Sequence, residues 1–332
     1  MKIRYIPKKF SADGVKIIDR ANSILNDYNA QGYDLTLRQL YYQFVARGII
    51  ANKDTEYKRL GSIINDARLA GLVDWDHITD RTRNMWENSH WDSPKSIVSA
   101  CAKQFQFDKW KDQKNYVEVW VEKDALVGVL EQACSPLDVP YFSCRGYTSQ
   151  SEMWRAAQRL LKKLTSGKKV TIIHLGDHDP SGVDMSRDIE DRLTMFMQSD
   201  YVRVICRTNP QNKGEATAEW GERMEQLALK DDKYMNPLTV NRIALTMDQI
   251  REYNPPPNPA KLTDARSKKY VEEFGDESWE LDSLEPSVIT GLIRDAVFEL
   301  RNADIWDSAV RMEDEAKRRL QHLSDNWESL TF

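Results

Sequence analysis

The stretch Thr171-Ile172-Ile173-His174-Leu175-Gly176-Asp177-His178-Asp179-Pro180-Ser181-Gly182 reads as a buried strand that ends by releasing two carboxylates one residue apart. Isoleucines supply the strand, and Pro180-Ser181-Gly182 suits the first turn of a helix with Asp179 as its N-cap. If the strand persists, Asp177 and Asp179 share a face, because alternate strand residues point the same way. A second strand, Tyr116 to Val121, likewise ends on an acid, Glu122, before an amphipathic helix that begins near Asp124. The expectation is that three carboxylates converge at the carboxyl edge of one parallel sheet, where open α/β folds place their ligands. Two carboxylates about 4 Å apart repel by roughly 4 kcal/mol at an effective dielectric near 20, a cost that a divalent cation relieves. Oxygen-only ligands suit Mg2+ or Mn2+. The blander alternative is an Asp-x-Asp turn that does nothing but cap a helix.

From Tyr116 onward the pattern alternates. Strands are expected at Tyr116 to Glu122, Val139 to Ser143, Lys169 to Asp177 and Tyr201 to Thr208, with helices at Ala125 to Ala133, Gln150 to Leu164 and Gly182 to Met197. Such alternation predicts the α/β class, a parallel sheet covered on both faces. Arg145 follows the second of these strands and reads either as a phosphate ligand at the same edge or as a turn residue. His174 is expected to pack within its strand, whereas His178 stays open between solvent, phosphate and no partner. Asn254 to Pro259 is a stiff interruption, read as an extended wrap over the sheet unit. Leu284 to Leu323 is expected to be mostly helical, with Ile305, Ala309, Met312, Ala316 and Leu320 as an apolar stripe.

The front of the chain is helical by pattern. Ser11 to about Ala30 forms the first helix, with Val15, Ile18, Ala21, Leu25 and Tyr28 inward and Gly32 ending it. Thr36 with Gln39 three residues later is a capping box, so a second helix starts there. Leu37, Leu40, Tyr41, Phe44 and Val45 make its core stripe. Tyr42 falls off that stripe, one turn beyond Arg38, where a guanidinium favours the ionised phenol and brings a phosphate clamp within reach. The alternative is an exposed tyrosine resting on an arginine stem. Thr55 to Leu72 is a third helix with Lys58, Arg59 and Arg68 facing out, and the short segment Leu72 to Ile78 follows. Either a DNA-binding unit with its third helix in the recognition position or a generic three-helix unit fits this pattern. Residues 93–115 read as a connector with one helix.

Composition narrows the classes. At 332 residues, 41% hydrophobic and 30% charged, the chain is long enough for two domains. It contains no run of about 20 apolar residues, and Met1 to Lys9 lacks a signal-peptide core, so a cytoplasmic protein is expected. Cys101, Cys134, Cys144 and Cys206 show no close ligand spacing and read as reduced thiols. No Walker motif occurs, so ATP hydrolysis by this chain is not expected. The net charge of −5 argues against a nucleic-acid coat protein. That average hides an asymmetry: basic residues concentrate at the front, from Lys2 to Arg68, and acids load the stretch Glu272 to Glu285, so local charge can still position DNA.

Arg38-Gln39-Leu40-Tyr41-Tyr42 resembles the Arg-Asp-Ile-Tyr-Tyr signature of the topoisomerase VI A subunit and the meiotic double-strand-break transesterases. Val121-Glu122-Lys123 and Gly176-Asp177-His178-Asp179-Pro180-Ser181-Gly182 are similar to the two acidic motifs of the Toprim fold in the same family. Order and spacing match over roughly residues 10 to 250, and by size the chain resembles the small stand-alone mini-A forms found on phages and plasmids. Two departures are Gln39 for the usual aspartate and histidine between the paired aspartates. The resemblance implies a winged-helix domain with the catalytic tyrosine at residues 1–92, the connector at 93–115, and a Toprim domain with a helical C-terminal extension at 116–332. It further implies that Tyr42 attacks a DNA phosphodiester, that Arg38 orients phosphate or phenolate, and that Glu122, Asp177 and Asp179 hold Mg2+. Lys58, Arg59, Arg68 and Arg145 are the candidate DNA contacts. Double-stranded DNA and a second copy in a homodimer are the implied partners, nucleoid association the implied location, and an ATPase partner subunit is left open. The alternatives are a Toprim nuclease that hydrolyses DNA, and an inert DNA-binding subunit awaiting an ATPase.

Overall fold

The computed structural model describes residues 1–79, 88–260 and 266–329. Residues 80–87, within the front unit as drawn from the sequence, lie outside the described residues. The front holds α1 (Ala12–Asn29), α2 (Leu37–Ala46) and α3 (Asp54–Leu69) around one core that includes Ile17, Ile24, Leu40, Phe44, Leu60 and Ile64. Ser11 caps α1, and the Thr36–Gln39 capping box opens α2. Val15 was expected inside but is exposed; Ile17 and Ile24 complete the stripe with Ile18, Ala21 and Leu25. Leu72 to Ile78 forms no named strand. It is pinned by a parallel bridge between Leu35 and Ile78 and by Arg68. The connecting helix α4 (Pro94–Gln104) packs on the last long helix rather than on the front unit.

The second unit is built on a four-stranded parallel sheet of β1 (Asn115–Val121), β2 (Tyr141–Ser143), β3 (Lys169–Leu175) and β4 (Thr239–Ala244), in the order β2-β1-β3-β4. Alternation along β1 decides its two faces. Val117, Val119 and Val121 join one core with α5 (Val127–Cys134), while Tyr116 and Trp120 join the other with α6 (Gln150–Thr165). Glu118 is buried on this second face, where Arg159 grips it with two bonds of 2.7 and 2.8 Å.

The strand expected at Tyr201 to Thr208 is instead the end of α7 (Pro180–Thr208), a single helix of 29 residues. Leu193, Met197 and Tyr201 recur every four residues and bury one continuous stripe, so packing overrides the β-branched content of the segment. After α8 (Thr217–Ala228) and α9 (Asp232–Met235) the chain returns as β4, the strand at the edge beside β3. Then follow α10 (Met247–Tyr253), the short strands β5 (Asn258–Pro259) and β6 (Glu277–Ser278) around α11 (Ser267–Phe274), and finally α12 (Pro286–Leu300) and α13 (Ala303–Asp325). On α13 the buried positions are Trp306, Ala309, Glu313 and Ser324; Met312, expected inward, is exposed. Among the described residues no helix is long and apolar enough to cross a membrane.

The strand order creates one switch point. β1 leads to β2 on one side, and the chain then crosses to β3 on the other, so the switch point lies at the carboxyl ends of β1 and β3. Glu122 and Asp177 follow those two ends.

Candidate functional site

β3 stops at Leu175, and the strand alternation expected to align Asp177 with Asp179 stops with it. Gly176 is held by reciprocal backbone bonds to Ala244 and Leu245, and His178 by a backbone bridge to Trp279. Asp179 then turns to cap α7, its Oδ1 accepting from Gly182 N at 2.6 Å. Asp177 Oδ1 accepts from Leu281 N at 2.8 Å, and its Oδ2 lies 3.0 Å from Lys123 Nζ. Glu122 Oε2 accepts from Asp177 N at 2.9 Å.

The three acids are therefore neighbours, but each carboxylate has a different protein partner. Among the described residues no group of three His, Cys, Asp or Glu side chains is disposed to hold a metal ion. Their chemistry nonetheless suits a cation. Burial, reinforced by Glu122 and Asp282, pushes the Asp177 carboxyl up to about 7 although Lys123 opposes the shift. Burial and then the field of Asp179 raise Glu122 as well, against the bond from Asp177 N. A Cβ at Gly182 would meet Asp177 O at 2.3 Å and Glu122 Oε2 at 3.0 Å, so only glycine leaves room for this carboxylate. An oxygen-only donor set whose members repel one another fits Mg2+ or Mn2+.

Arg242, from β4, was not singled out in the sequence. Its guanidinium is buried and donates to the carbonyls of Asp177 at 2.6 Å, Gly182 at 2.8 Å and Gly176 at 3.0 Å, tying both ends of the acidic turn together. The only local signal was a charge within a strand, Val240-Asn241-Arg242-Ile243-Ala244.

Tyr42 was expected beside the core stripe with its ionised form favoured. It is instead 4% exposed, because the turn at Leu281–Ser283 covers that flank of α2. Burial first, and then Asp282 and Glu280, push the phenol well above its ordinary value, outweighing Arg38 and Lys123. Arg38 NH2 donates to the phenol oxygen at 3.3 Å and to Glu280 Oε2 at 2.5 Å, and its Nε lies 3.2 Å from Asp282 Oδ2. Lys123 Nζ in turn donates to Glu280 and, at 2.9 Å, to Asp282. Tyr42 and Asp177 thus belong to one chain of charge: phenol, Arg38, Glu280 with Asp282, Lys123, Asp177. A cavity of about 190 Å³ opens here, lined by Arg38, Tyr42, Asn52, Lys53 and Glu280 among others. Asn52 Nδ2 donates to Asn258 Oδ1 at 2.6 Å and to Pro257 O at 3.2 Å, so the proline-rich stretch closes the cavity against the front unit. Glu280 and Asp282 were read only as part of an acidic stretch, although their Glu-x-Asp spacing repeats that of Asp177-x-Asp179.

The basic candidates divide. Lys58 is on the outer face of α3, within 3.4 Å of Asp54. Arg59 is paired with Glu56 at 2.7 Å and with Asp13. Arg68 does not face out: its guanidinium stacks over Trp75 at 4.4 Å and donates to the carbonyls of Trp75 and Ile78. Arg145 adopts a left-handed turn conformation with φ of 54° and clasps Asp124 at 3.1 and 3.2 Å. His174 is buried with Nδ1 at 2.8 Å from Ser186, and burial lowers its pKa to about 3. His178 is also buried, 2.8 Å from the Tyr270 hydroxyl and ringed by Tyr270, Phe274 and Trp279, so it is a packing residue of the turn. No family model matches the chain, and no curated protein or solved structure matches it.

Proposed function

We propose that this chain is a type IIB topoisomerase-like DNA transesterase, with the front helices as its winged-helix tyrosine domain and the parallel sheet as its Toprim domain. The observation that carries the proposal is the continuous ionic path from the Tyr42 phenol through Arg38 and Lys123 to Asp177 at the switch point of the sheet. In this reading Tyr42 Oη bonds to the phosphorus of a backbone phosphodiester, the bond from phosphorus to the 3′ oxygen breaks, and the phenolic proton leaves. The products are a 5′-phosphotyrosyl linkage and a 3′ hydroxyl, and the reverse attack reseals the strand without ATP because the linkage keeps the bond energy. Arg38 holds the phenol oxygen and orients phosphate. Glu122, Asp177 and Asp179 would hold Mg2+, which would supply positive charge to offset that of the phosphate. Lys58, Arg59 and Arg145, all at the surface, remain DNA contacts in the proposal, whereas Arg68 is structural. Each chain brings one such tyrosine, so cutting both strands calls for a twofold dimer on duplex DNA.

The test is covalent trapping. After a detergent quench, labelled DNA should travel with denatured wild-type protein and not with Tyr42→Phe. Tyr41→Phe should keep forming adducts, since the Tyr41 hydroxyl is spent on Asn52 at 3.0 Å. Adducts that persist in Tyr42→Phe overturn the assignment. The burial of Tyr42 and the upward push on its ionisation favour one second reading, a nuclease that hydrolyses DNA with water; Mg2+-dependent breaks without adducts from any variant would select it.

A further inference from the structure

We propose that Glu280 is an internal stand-in for a backbone phosphate, seated between Arg38 and Lys123 until a DNA phosphodiester displaces it. The inference rests on reading the cavity beside Tyr42 as the place where DNA is cut.

One oxygen of Glu280, Oε2, receives both a guanidinium and an ammonium donor, the pair of groups that proteins use to grip a phosphate. Against the cost of burial, Lys123 and Arg38 hold this carboxyl down at about 2, so it is a permanent anion at neutral pH. Three acids share the two cations, but they are not equivalent. The side chains of Asp282 and Asp177 are 0% and 9% exposed, whereas that of Glu280 is 25% exposed and lines the cavity that also holds Tyr42. Glu280 is the one that can leave.

Its departure would not scatter the seat. Asp282 still lies 2.9 Å from Lys123 and 3.2 Å from Arg38, so both cations stay in place. Nor does the backbone have to move, because Glu280 O accepts from Ser283 N at 3.1 Å and from Ser283 Oγ at 2.5 Å, leaving only a side-chain rotation. Lys53 on the cavity wall adds a further cation for the incoming phosphate. The carboxylate thus keeps the cations paired while no DNA is present, and it sets a threshold that a phosphodiester must pass.

The experiment measures affinity for a labelled DNA duplex by fluorescence anisotropy in chelator, where no strand is cut. Glu280→Gln should bind on the order of tenfold more tightly than wild type, the size expected when a competing charge-assisted contact is removed. Glu277→Gln, which deletes the same formal charge from the exposed side chain of a residue in β6, should change affinity less than about twofold. Glu280→Ser, which empties the seat rather than neutralising it, should reproduce the gain, so a folding defect in one variant leaves the other to decide. Adding Arg38→Gln to Glu280→Gln should abolish the gain. Equal gains from Glu277→Gln and Glu280→Gln, or no gain from either Glu280 variant, overturn the stand-in. Adducts from wild type without such a gain would retain the transesterase and remove the stand-in; a gain with no adduct from any variant would retain the phosphate seat and remove Tyr42 as nucleophile.

Discussion

Two buried charged regions meet at the carboxyl edge of the sheet, and they are balanced in opposite ways. Around Tyr42 the local charge is a cation, Arg38, 45% exposed in its side chain, and its counter-charges arrive from Glu280 and Asp282 far along the chain. Around Asp177 the local charges are acids in excess, and their counter-charges are Lys123 and Arg242, whose guanidinium is largely buried. The difference shows in the ionisation of the carboxyls: Glu280 is held down at about 2, while Asp177 is pushed up to about 7. The tyrosine region draws on Lys123 as well as Arg38 to balance its two acids, and the acidic turn, which shares that lysine, is left short of positive charge. That shortage is what a divalent cation would supply, and it is why the acidic turn rather than the tyrosine helix is the proposed metal side.

The sharpest way to break the comparison is to delete each arginine. Arg242→Met removes the donor that ties the carbonyls of Asp177 and Gly182 together and leaves Gly176 O only its bond from Leu245 N, so urea unfolding should show a loss on the order of 3 kcal/mol. Arg38→Met should cost less, on the order of 1 kcal/mol, since its pair with Glu280 is partly solvated and Lys123 still neutralises the buried Asp282. Equal losses would mean that the two regions are held together by the same kind of contact.

A second test concerns chemistry. Asp179→Ala should lower Mg2+-dependent DNA cleavage by a factor on the order of 10². Loss of the α7 cap should cost only about 1 kcal/mol of stability. DNA affinity measured in chelator should stay within a few-fold of wild type. Cleavage that is the same in chelator as in Mg2+ would make the acidic turn purely structural.

The smallest expected effect concerns pH. Between its ordinary value near 4 and about 7, Asp177 keeps a proton in the folded protein that the unfolded chain has released, so its contribution to stability declines as pH rises through that window. Metal-free Asp177→Asn should therefore gain stability relative to wild type as pH rises from about 5 to about 8, read from urea midpoints at each pH. Glu280 has the opposite sign: its depressed value stabilises the fold above the usual carboxylate range and is lost only as pH falls toward 2. A flat difference between the two Asp177 proteins across this range would show that burial does not strain that carboxyl.

Much of the sheet unit could be read from local pattern. The run from Thr171 to Gly182 yielded the strand, the acidic turn and the Asp179 cap, and Thr36 with Gln39 located the start of α2. Patterns of this kind act within one or two turns of chain. What escaped was set by distant packing. Tyr201 to Thr208 has the branched residues of a strand, but Leu193, Met197 and Tyr201 extend a helical stripe that only the sheet face reveals. Tyr42 lies off the stripe of its own helix and is buried by residues more than two hundred positions later. For Arg242, Glu280 and Asp282 the local signals, a charge within a strand and a Glu-x-Asp spacing, name no partner, since each acts through contacts that the fold, not the neighbouring sequence, creates.

The separation of 242 residues between Arg38 and Glu280 also has a meaning in time. At roughly 5–20 residues per second of synthesis, on the order of ten to fifty seconds pass after Arg38 leaves the ribosome before Glu280 exists. Throughout that interval the guanidinium has no carboxylate from Glu280 or Asp282, and nothing from the Leu281–Ser283 turn covers the phenol beside it. The cover over Tyr42 is made long after the tyrosine itself, so a nascent or truncated chain that ends before it carries the tyrosine uncovered.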